Sequence, residues 1–205
     1  MSSLGHVSEM FLESYNRIFA LKFKDSQEDF IARIPLHSAG PRDLLTKSEV
    51  ATMDFIRMKF GVPIPKVLAW NLSPDNPVGC EYIITEKCPG MSLAKQLPDT
   101  SIASLYVNDM AQWMGGMSNV RFSQFGSIYY KEDVDESLQV RPLYASGEEE
   151  DECSERFCIG PSVERTFYHH KRANMDFDRG PCAFHSCTCA MCTDLETQGL
   201  MHTLI

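Results

Sequence analysis

The side chains best suited to metal chemistry are concentrated near the C-terminus. Eleven residues contain five soft ligands, which are Cys182, His185, Cys187, Cys189 and Cys192. Structural zinc sites usually pair two Cys-x-x-Cys knuckles across a longer loop, and only Cys189 and Cys192 have the knuckle spacing here. Zinc binding is therefore the weaker alternative for this segment. The stronger one is a tail without a fold of its own, as a changed reading frame would produce, because residues 182–205 show neither helical nor strand periodicity.

An arginine interrupts one of the apolar strand patterns. Residues 30–34 are typical of a strand that Pro35 closes, and Arg33 is the polar residue within it. On the helix predicted next, Glu49 follows Thr46 at the spacing of a capping box. Taken alone, Arg33 is interpreted as a solvent-facing strand residue and Glu49 as part of a helix cap.

The elements that would position these residues follow in the order strand, strand, helix, strand, strand. Alternating patterns predict the four strands at residues 15–23, 30–34, 66–70 and 81–86. Apolar residues at helical intervals predict a helix from Thr46 to Phe60, with Gly61 as a left-handed cap. The connections are too short for parallel crossovers. We therefore expect an antiparallel sheet with one helix packed on it.

A second region begins after Gly90 and is mainly helical. One predicted helix has an apolar stripe of Ile102, Leu105, Tyr106, Met110, Trp113 and Met117. A short strand is predicted at residues 125–130, and the polar residues 131–157 are assigned to loop or disorder. The predicted division is thus a lobe at residues 1–92, a helical region with an acidic loop at residues 93–181, and a cysteine-rich tail at residues 182–205.

Composition excludes several classes of protein. The net charge of -9 disfavours nucleic acid as a partner, because phosphate backbones need a basic surface. No apolar run reaches the roughly 18 to 20 residues of a membrane-spanning helix. The first sixteen residues have neither the pattern of a signal peptide nor the arginines of a mitochondrial presequence. We therefore expect a cytoplasmic protein with free thiols.

Five stretches together resemble one superfamily of phosphotransferases. They are SYNRIF at 14–19, FIARIP at 30–35, SEVATM at 48–53, IPKVLAW at 64–70 and EYIITE at 81–86. In this order and spacing they resemble the aminoglycoside phosphotransferase and choline kinase superfamily, and more narrowly its fungal branch, which includes proteins named for altered inheritance of mitochondria. The resemblance extends to about residue 181 through GSIYY at 126–130, IGPS at 159–162 and DRGP at 178–181.

The resemblance implies an α+β fold with a protein-kinase-like N-terminal lobe and an incomplete helical C-terminal lobe. It also implies ATP and magnesium as cofactors. Arg33 would hold the nucleotide phosphates, since an arginine offers a permanent charge and bidentate geometry to phosphate. Glu49 would orient the Arg33 side chain.

The resemblance implies two further contacts with the nucleotide. The first hairpin would cover the phosphates, where Ser14 and Asn16 would contribute side-chain donors in place of the usual glycines. Residues 86–88, which include Glu86 and Cys88, would form a hinge whose main-chain groups hydrogen-bond a purine. We refer to residues 86–88 as the hinge.

The catalytic loop of the superfamily has no counterpart in this sequence. Phosphoryl transfer there needs an aspartate base in a His-x-Asp loop, a nearby asparagine and a later magnesium-binding aspartate. Residues 169–178 echo this loop superficially, with Asp176 and Asp178 as its carboxylates, but they come too early and too close together. No catalytic residue is therefore assigned.

The expected function is that of an ATP-dependent small-molecule kinase family, present as a truncated and inactive copy. The alternatives are a noncatalytic pseudokinase module that binds a nucleotide or a protein partner, and a zinc-binding tail protein. A protein partner would cover the apolar helical stripe. The resemblance also keeps the mitochondrion open as a location.

Overall fold

A computed structural model of the chain describes residues 4–13, 15–24, 28–36, 39–91, 100–168, 170–176 and 178–182. The chain divides into two compact units. The first contains residues 1–35 and 53–121, and the second contains residues 36–52 and 122–205.

The first unit is built on a five-stranded antiparallel sheet with the strand order β1-β2-β3-β5-β4. The strands are β1 (Leu4–Glu13), β2 (Asn16–Phe23), β3 (Asp29–Pro35), β4 (Val67–Asn71) and β5 (Tyr82–Glu86). The four strands predicted from alternation are found within one residue at either end. One helix packs on this sheet. The predicted α+β class is therefore confirmed.

The edge strand β1 was not predicted from the sequence. Its pairing with β2 contains two register irregularities, between Leu4 and His6 and between Glu9 and Phe11. Each irregularity interrupts the alternation of side chains between the two faces of a strand. A search for strict period-two alternation therefore passes over this segment.

Helix α1 (Leu44–Phe60) begins two residues earlier than predicted. The N–H groups of Leu45 and Lys47 donate to the main-chain oxygens of Pro41 and Asp43, both at 3.0 Å, so the preceding loop satisfies donors of the first turn. Thr46 is consequently inside the helix and fully buried. The predicted capping box of Thr46 and Glu49 is therefore wrong.

The end of α1 agrees with the prediction. Gly61 has φ 62°, and its N–H donates to the main-chain oxygen of Arg57 at 3.1 Å. A glycine adopts this left-handed conformation without the steric cost that a Cβ would add. The predicted cap at Gly61 is confirmed.

One side chain organises the loop between β4 and β5. The Asn76 amide nitrogen donates to the main-chain oxygens of Ser73 and Cys80 at 2.6 and 2.7 Å. Its amide oxygen accepts from the N–H groups of Val78 and Gly79 at 2.7 and 3.0 Å. Hydrogen bonds to the Asn76 side chain at its centre thus hold this loop together.

Helix α2 (Thr100–Ser118) also belongs to the first unit. It approaches the end of α1 at Gly116, where an added Cβ would lie 3.6 Å from the Phe60 ring. Most of its apolar side chains are exposed, including Leu105 at 65% and Met114 at 62%. The predicted stripe from Leu105 to Met117 therefore presents an apolar surface in this structure, and the Ile102 side chain lies outside the described part.

The second unit contains a two-stranded antiparallel sheet of β6 (Ser127–Tyr130) and β7 (Phe157–Gly160). The short helix α3 (Glu152–Arg156) precedes β7 and begins with a capping box formed by Asp151 and Ser154. All residues of β7 are buried. The predicted strand at residues 125–130 is thus confirmed, and the segment predicted as loop contains α3 and the start of β7.

Among the residues that the structure describes, neither long helix has the apolar content that a bilayer crossing requires.

Candidate functional site

Arg33 lies in the middle of β3 and shares a sheet face with two buried residues. Its Cα partners are Ile18 on β2 and Ile83 on β5, and these are 7% and 0% exposed. Side chains of directly paired residues project to the same face of a sheet. Arg33 is half-buried there, with its Nε atom fully buried, so the interpretation as a solvent-facing residue does not hold. A guanidinium in such a position needs charged or hydrogen-bonding partners.

The hinge leaves the sheet at the end of β5. The N–H of Glu86 donates to the main-chain oxygen of Lys66 at 3.1 Å, and the N–H of Lys87 donates to that of Asp29 at 3.2 Å. These two N–H groups are thus already hydrogen-bonded within the protein. In the described part of the chain, the main chain of Cys88 makes no hydrogen bond. Of the three hinge residues, Cys88 is therefore the one whose main-chain groups the other described residues do not use.

Arg33 and the hinge belong to the same pair of strands. Arg33 is opposite Ile83, which precedes Lys87 by four residues. Glu86, the first hinge residue, comes three positions after Ile83, so at a rise of about 3.3 Å per residue the hinge begins about 10 Å along the sheet from Arg33. Thr85, the last buried residue before the hinge, lies on the same face as Ile83. Arg33 thus lies within the sheet face that leads along β5 to the hinge.

Two grooves flank the hinge. One has a volume of about 480 Å³ and is lined by Arg57, residues 61–65 and residues 86–89. The other has a volume of about 450 Å³ and is lined by residues 28–30 and residues 86–89. Cys88, whose side chain is exposed, lines both grooves. The hinge is therefore accessible to a small ligand from two directions.

Charged contacts attach the hinge to its neighbours in the first unit. The Glu86 carboxylate accepts from the N–H of Lys66 at 3.0 Å and lies 3.7 Å from the Arg57 guanidinium. Arg57 also donates to the main-chain oxygen of Ile64 at 2.9 Å. Lys87 Nζ lies 2.7 Å from a carboxylate oxygen of Asp29, and this hydrogen bond lowers the pKa of Asp29.

The structure places the other predicted phosphate contacts as follows. Asn16 opens β2 beside the turn from β1 and shares the face of Ile18, so it is a diagonal neighbour of Arg33 at about 7–8 Å. Ser14 lies outside the described residues. Glu49 is a half-buried residue of α1 within the second unit. The site residues placed together on one sheet are thus Arg33, Asn16 and the hinge.

In the segment that echoes a catalytic loop, described residues make local hydrogen bonds. Asp178 accepts a hydrogen bond from the N–H of Gly180 at 2.8 Å, as in a turn. Asp176 is exposed. Its neighbour Met175 accepts from the Arg179 guanidinium through its main-chain oxygen at 3.0 Å.

Metal-binding groups do not gather in the described part of the chain, where no three His, Cys, Asp or Glu side chains are placed to hold an ion. The described residues by themselves do not fit a magnesium site, and we assign no step to this metal. Cys182 is buried, and the remaining ligands of the predicted zinc alternative lie outside the described residues.

Sequence reasoning missed Arg57 and Asp29 beside the hinge, and it gave no role to the side chain of Lys87, a residue that it had included in the hinge. From the sequence alone, each of these three side chains looks like an ordinary surface charge, because its partner is distant in sequence. Residues 29 and 87 are separated by 58 positions. The available signal was the expected antiparallel sheet, but only the observed pairing of β3 with β5 brings the start of β3 beside the end of β5.

Comparisons with known proteins place these features in a wider group. No family model matches the chain. A subtelomeric hrmA-associated cluster protein of Aspergillus fumigatus is 37% identical over 171 residues, which is 82% of this chain and 31% of that protein. Altered inheritance of mitochondria protein 9, mitochondrial, from Candida tropicalis is 35% identical over 167 residues, 77% of this chain and 27% of that protein. The chain thus spans about a third or less of the relatives it matches.

Among solved structures, a thermostable mutant of an aminoglycoside phosphotransferase, in a ternary complex with AMP-PNP and hygromycin B, matches with a TM-score of 0.40. It shares 18% sequence identity over 60% of this chain and 39% of that one. The sequence relatives carry the assignment. Over the aligned stretch, the chain is similar to the altered inheritance of mitochondria proteins, as its motifs predicted.

Proposed function

We propose that the first unit of this chain is a nucleotide-binding lobe that takes ATP. The observation that supports the proposal is the strand register that puts Arg33 opposite Ile83, on the sheet face that runs to the hinge. The phosphates would contact Arg33, where a guanidinium provides charge and paired donors. The base would contact the main chain of Cys88, two residues beyond the end of β5.

Asn16 would contribute a second polar contact to the phosphates. It lies on the same sheet face as Arg33 and beside the turn that joins β1 to β2. Its side-chain amide can donate to a phosphate oxygen, as an amide can to any anionic acceptor.

Within a longer protein of this branch, the lobe would supply the nucleotide to an ATP-dependent small-molecule kinase. For the chain itself the proposal is confined to binding, because its sequence offers no catalytic loop. This is the noncatalytic alternative of the sequence analysis, and it leaves the phosphate acceptor to the remainder of the longer relatives.

The test is calorimetric titration of the purified chain with ATP, in magnesium and in EDTA. Replacing Arg33 by alanine should weaken ATP binding by about tenfold to a hundredfold, since a charge-assisted hydrogen bond contributes about 1.5–3 kcal/mol. The matched control is Arg17→Ala, because Arg17 is on β2 opposite Ile34 and so on the other face. Equal losses in both variants, or no binding by the folded wild-type chain, would refute the proposal.

A further inference from the structure

Glu86 and Lys87, the first two residues of the hinge, make contacts on opposite sides of β5. The Glu86 side chain reaches Arg57 of α1 and the N–H of Lys66, just before β4. Lys87 instead reaches Asp29, the first residue of β3. Successive residues are thus tied to the two sides of β5, and the chain is constrained at the point where it leaves the sheet.

The tie at Glu86 involves both its main chain and its side chain. Its N–H donates to the main-chain oxygen of Lys66 while its carboxylate accepts from the N–H of the same residue. The Arg57 guanidinium then joins this pair to Ile64 through a 2.9 Å hydrogen bond. Rotation of the Glu86 peptide would break several of these bonds together.

The tie at Lys87 is also double. Its N–H donates to the main-chain oxygen of Asp29 at 3.2 Å, and its Nζ lies 2.7 Å from the Asp29 carboxylate. Both ion pairs are partly exposed, with side-chain exposures of 33–46%. Exposed pairs of this kind contribute little to global stability. We therefore expect the two ion pairs to affect the local geometry of the hinge more than the free energy of unfolding.

We propose that Arg57, Glu86, Lys87 and Asp29 form a hinge clamp, a set of positioning residues that fixes the direction in which the chain leaves β5. Fixing Glu86 and Lys87 presents the N–H and carbonyl of Cys88, the next residue, in one orientation. A preorganised donor and acceptor bind a base without the cost of ordering the segment first. The inference rests on the proposed function, because it concerns recognition of the base.

The first test measures the clamp without any nucleotide. Hydrogen exchange of the peptide that contains the hinge is compared between the wild-type chain and the Glu86→Ala/Lys87→Met variant. Exchange should be about tenfold faster in the variant, with little change in melting temperature. The control is Asp75→Asn, which removes an exposed carboxylate from the β4–β5 loop and should leave the hinge unchanged. Equal exchange in all three chains would overturn the clamp.

The second test separates the base from the phosphates. In the Glu86→Ala/Lys87→Met variant, adenosine should bind at least about fivefold more weakly, while inorganic tripolyphosphate should bind as in the wild-type chain. The charge-exchanged variant Asp29→Lys/Lys87→Glu should recover most of the adenosine affinity that Lys87→Glu alone loses. A purely structural role would weaken both probes alike and would show no rescue.

The outcomes also distinguish this inference from the proposed function. A wild-type chain that binds ATP, with a clamp variant that binds adenosine equally well, would overturn the clamp alone. A folded wild-type chain that binds neither ATP nor adenosine would overturn the proposed function and, with it, the role of the clamp in base recognition.

Discussion

Replacing Gly160 by alanine should destabilise the second unit. Gly160 ends β7, and an added Cβ would lie 2.8 and 2.9 Å from two ring carbons of Tyr129. Ordinary contact begins at 3.4 Å, so ring and strand would have to separate by about 0.6 Å. Tyr129 cannot turn aside readily, because its side chain is fully buried and its hydroxyl donates to the main-chain oxygen of Pro161 at 2.8 Å.

The magnitude follows from two opposing effects. Overpacking of this kind costs about 1–3 kcal/mol. The smaller conformational freedom of alanine in the unfolded chain returns about 0.4–1 kcal/mol. We therefore expect Gly160→Ala to lower the free energy of unfolding by about 0.5–2.5 kcal/mol. The φ of Gly160 is not in the left-handed region, so backbone strain adds nothing.

The assay is urea unfolding followed by far-ultraviolet circular dichroism. The control is Gly115→Ala, because Gly115 lies inside α2 with nothing within 4 Å of an added Cβ. This control should raise the helix stability by about 0.5–1 kcal/mol. Combining Gly160→Ala with Tyr129→Leu should cost less than the sum of the single changes, since the smaller side chain removes the clash. A Gly160→Ala variant as stable as the wild-type chain would refute this reasoning.

Three further predictions concern separate parts of the fold. Asn76→Ala should lower the free energy of unfolding by about 1–3 kcal/mol, because loop main-chain groups lose their partners; proteolysis confined to the β4–β5 loop would reveal it, and an unchanged cleavage pattern would contradict it. Ile83→Ala should cost about 2–5 kcal/mol in urea unfolding, whereas Ile83→Val should cost only about 0.5–1.5. Burial raises the pKa of Cys158 from 9.0 to about 11. The folded state therefore holds this proton more tightly than the unfolded state, and stability should fall by up to about 2 kcal/mol between pH 9 and 11. Cys158→Ala should flatten that pH profile; a profile with the same slope would contradict the assignment.

The sheet could be predicted because its sequence signal is local. Alternation over a few residues located β2 to β5 within one residue, and Gly61 marked the end of α1 by its conformational freedom. Strand β1 escaped because bulges disrupt that alternation. The start of α1 was misplaced because main-chain groups of Pro41 and Asp43 satisfy the first turn, which leaves no side-chain signature.

The candidate site was predicted only in part, for the same physical reason. Arg33 was recognised as the polar residue of an apolar strand, but the face on which it lies depends on pairing with β2 and β5. The hinge was predicted through the resemblance to the family, and its contact with a base stays a prediction. Its clamp joins residue 29 to 87 and residue 57 to 86, and no local pattern encodes contacts of such sequence separation.

The β4–β5 loop has a consequence for the chemical ageing of this protein. Asparagine residues deamidate when the nitrogen of the following residue attacks the side-chain carbonyl and closes a cyclic imide. The residue after Asn76 is Pro77, whose ring nitrogen carries no hydrogen and cannot form that imide. The side chain on which the whole loop depends is thus protected from spontaneous conversion to aspartate, a change that would replace its amide donor by a second acceptor facing the main-chain oxygens of Ser73 and Cys80.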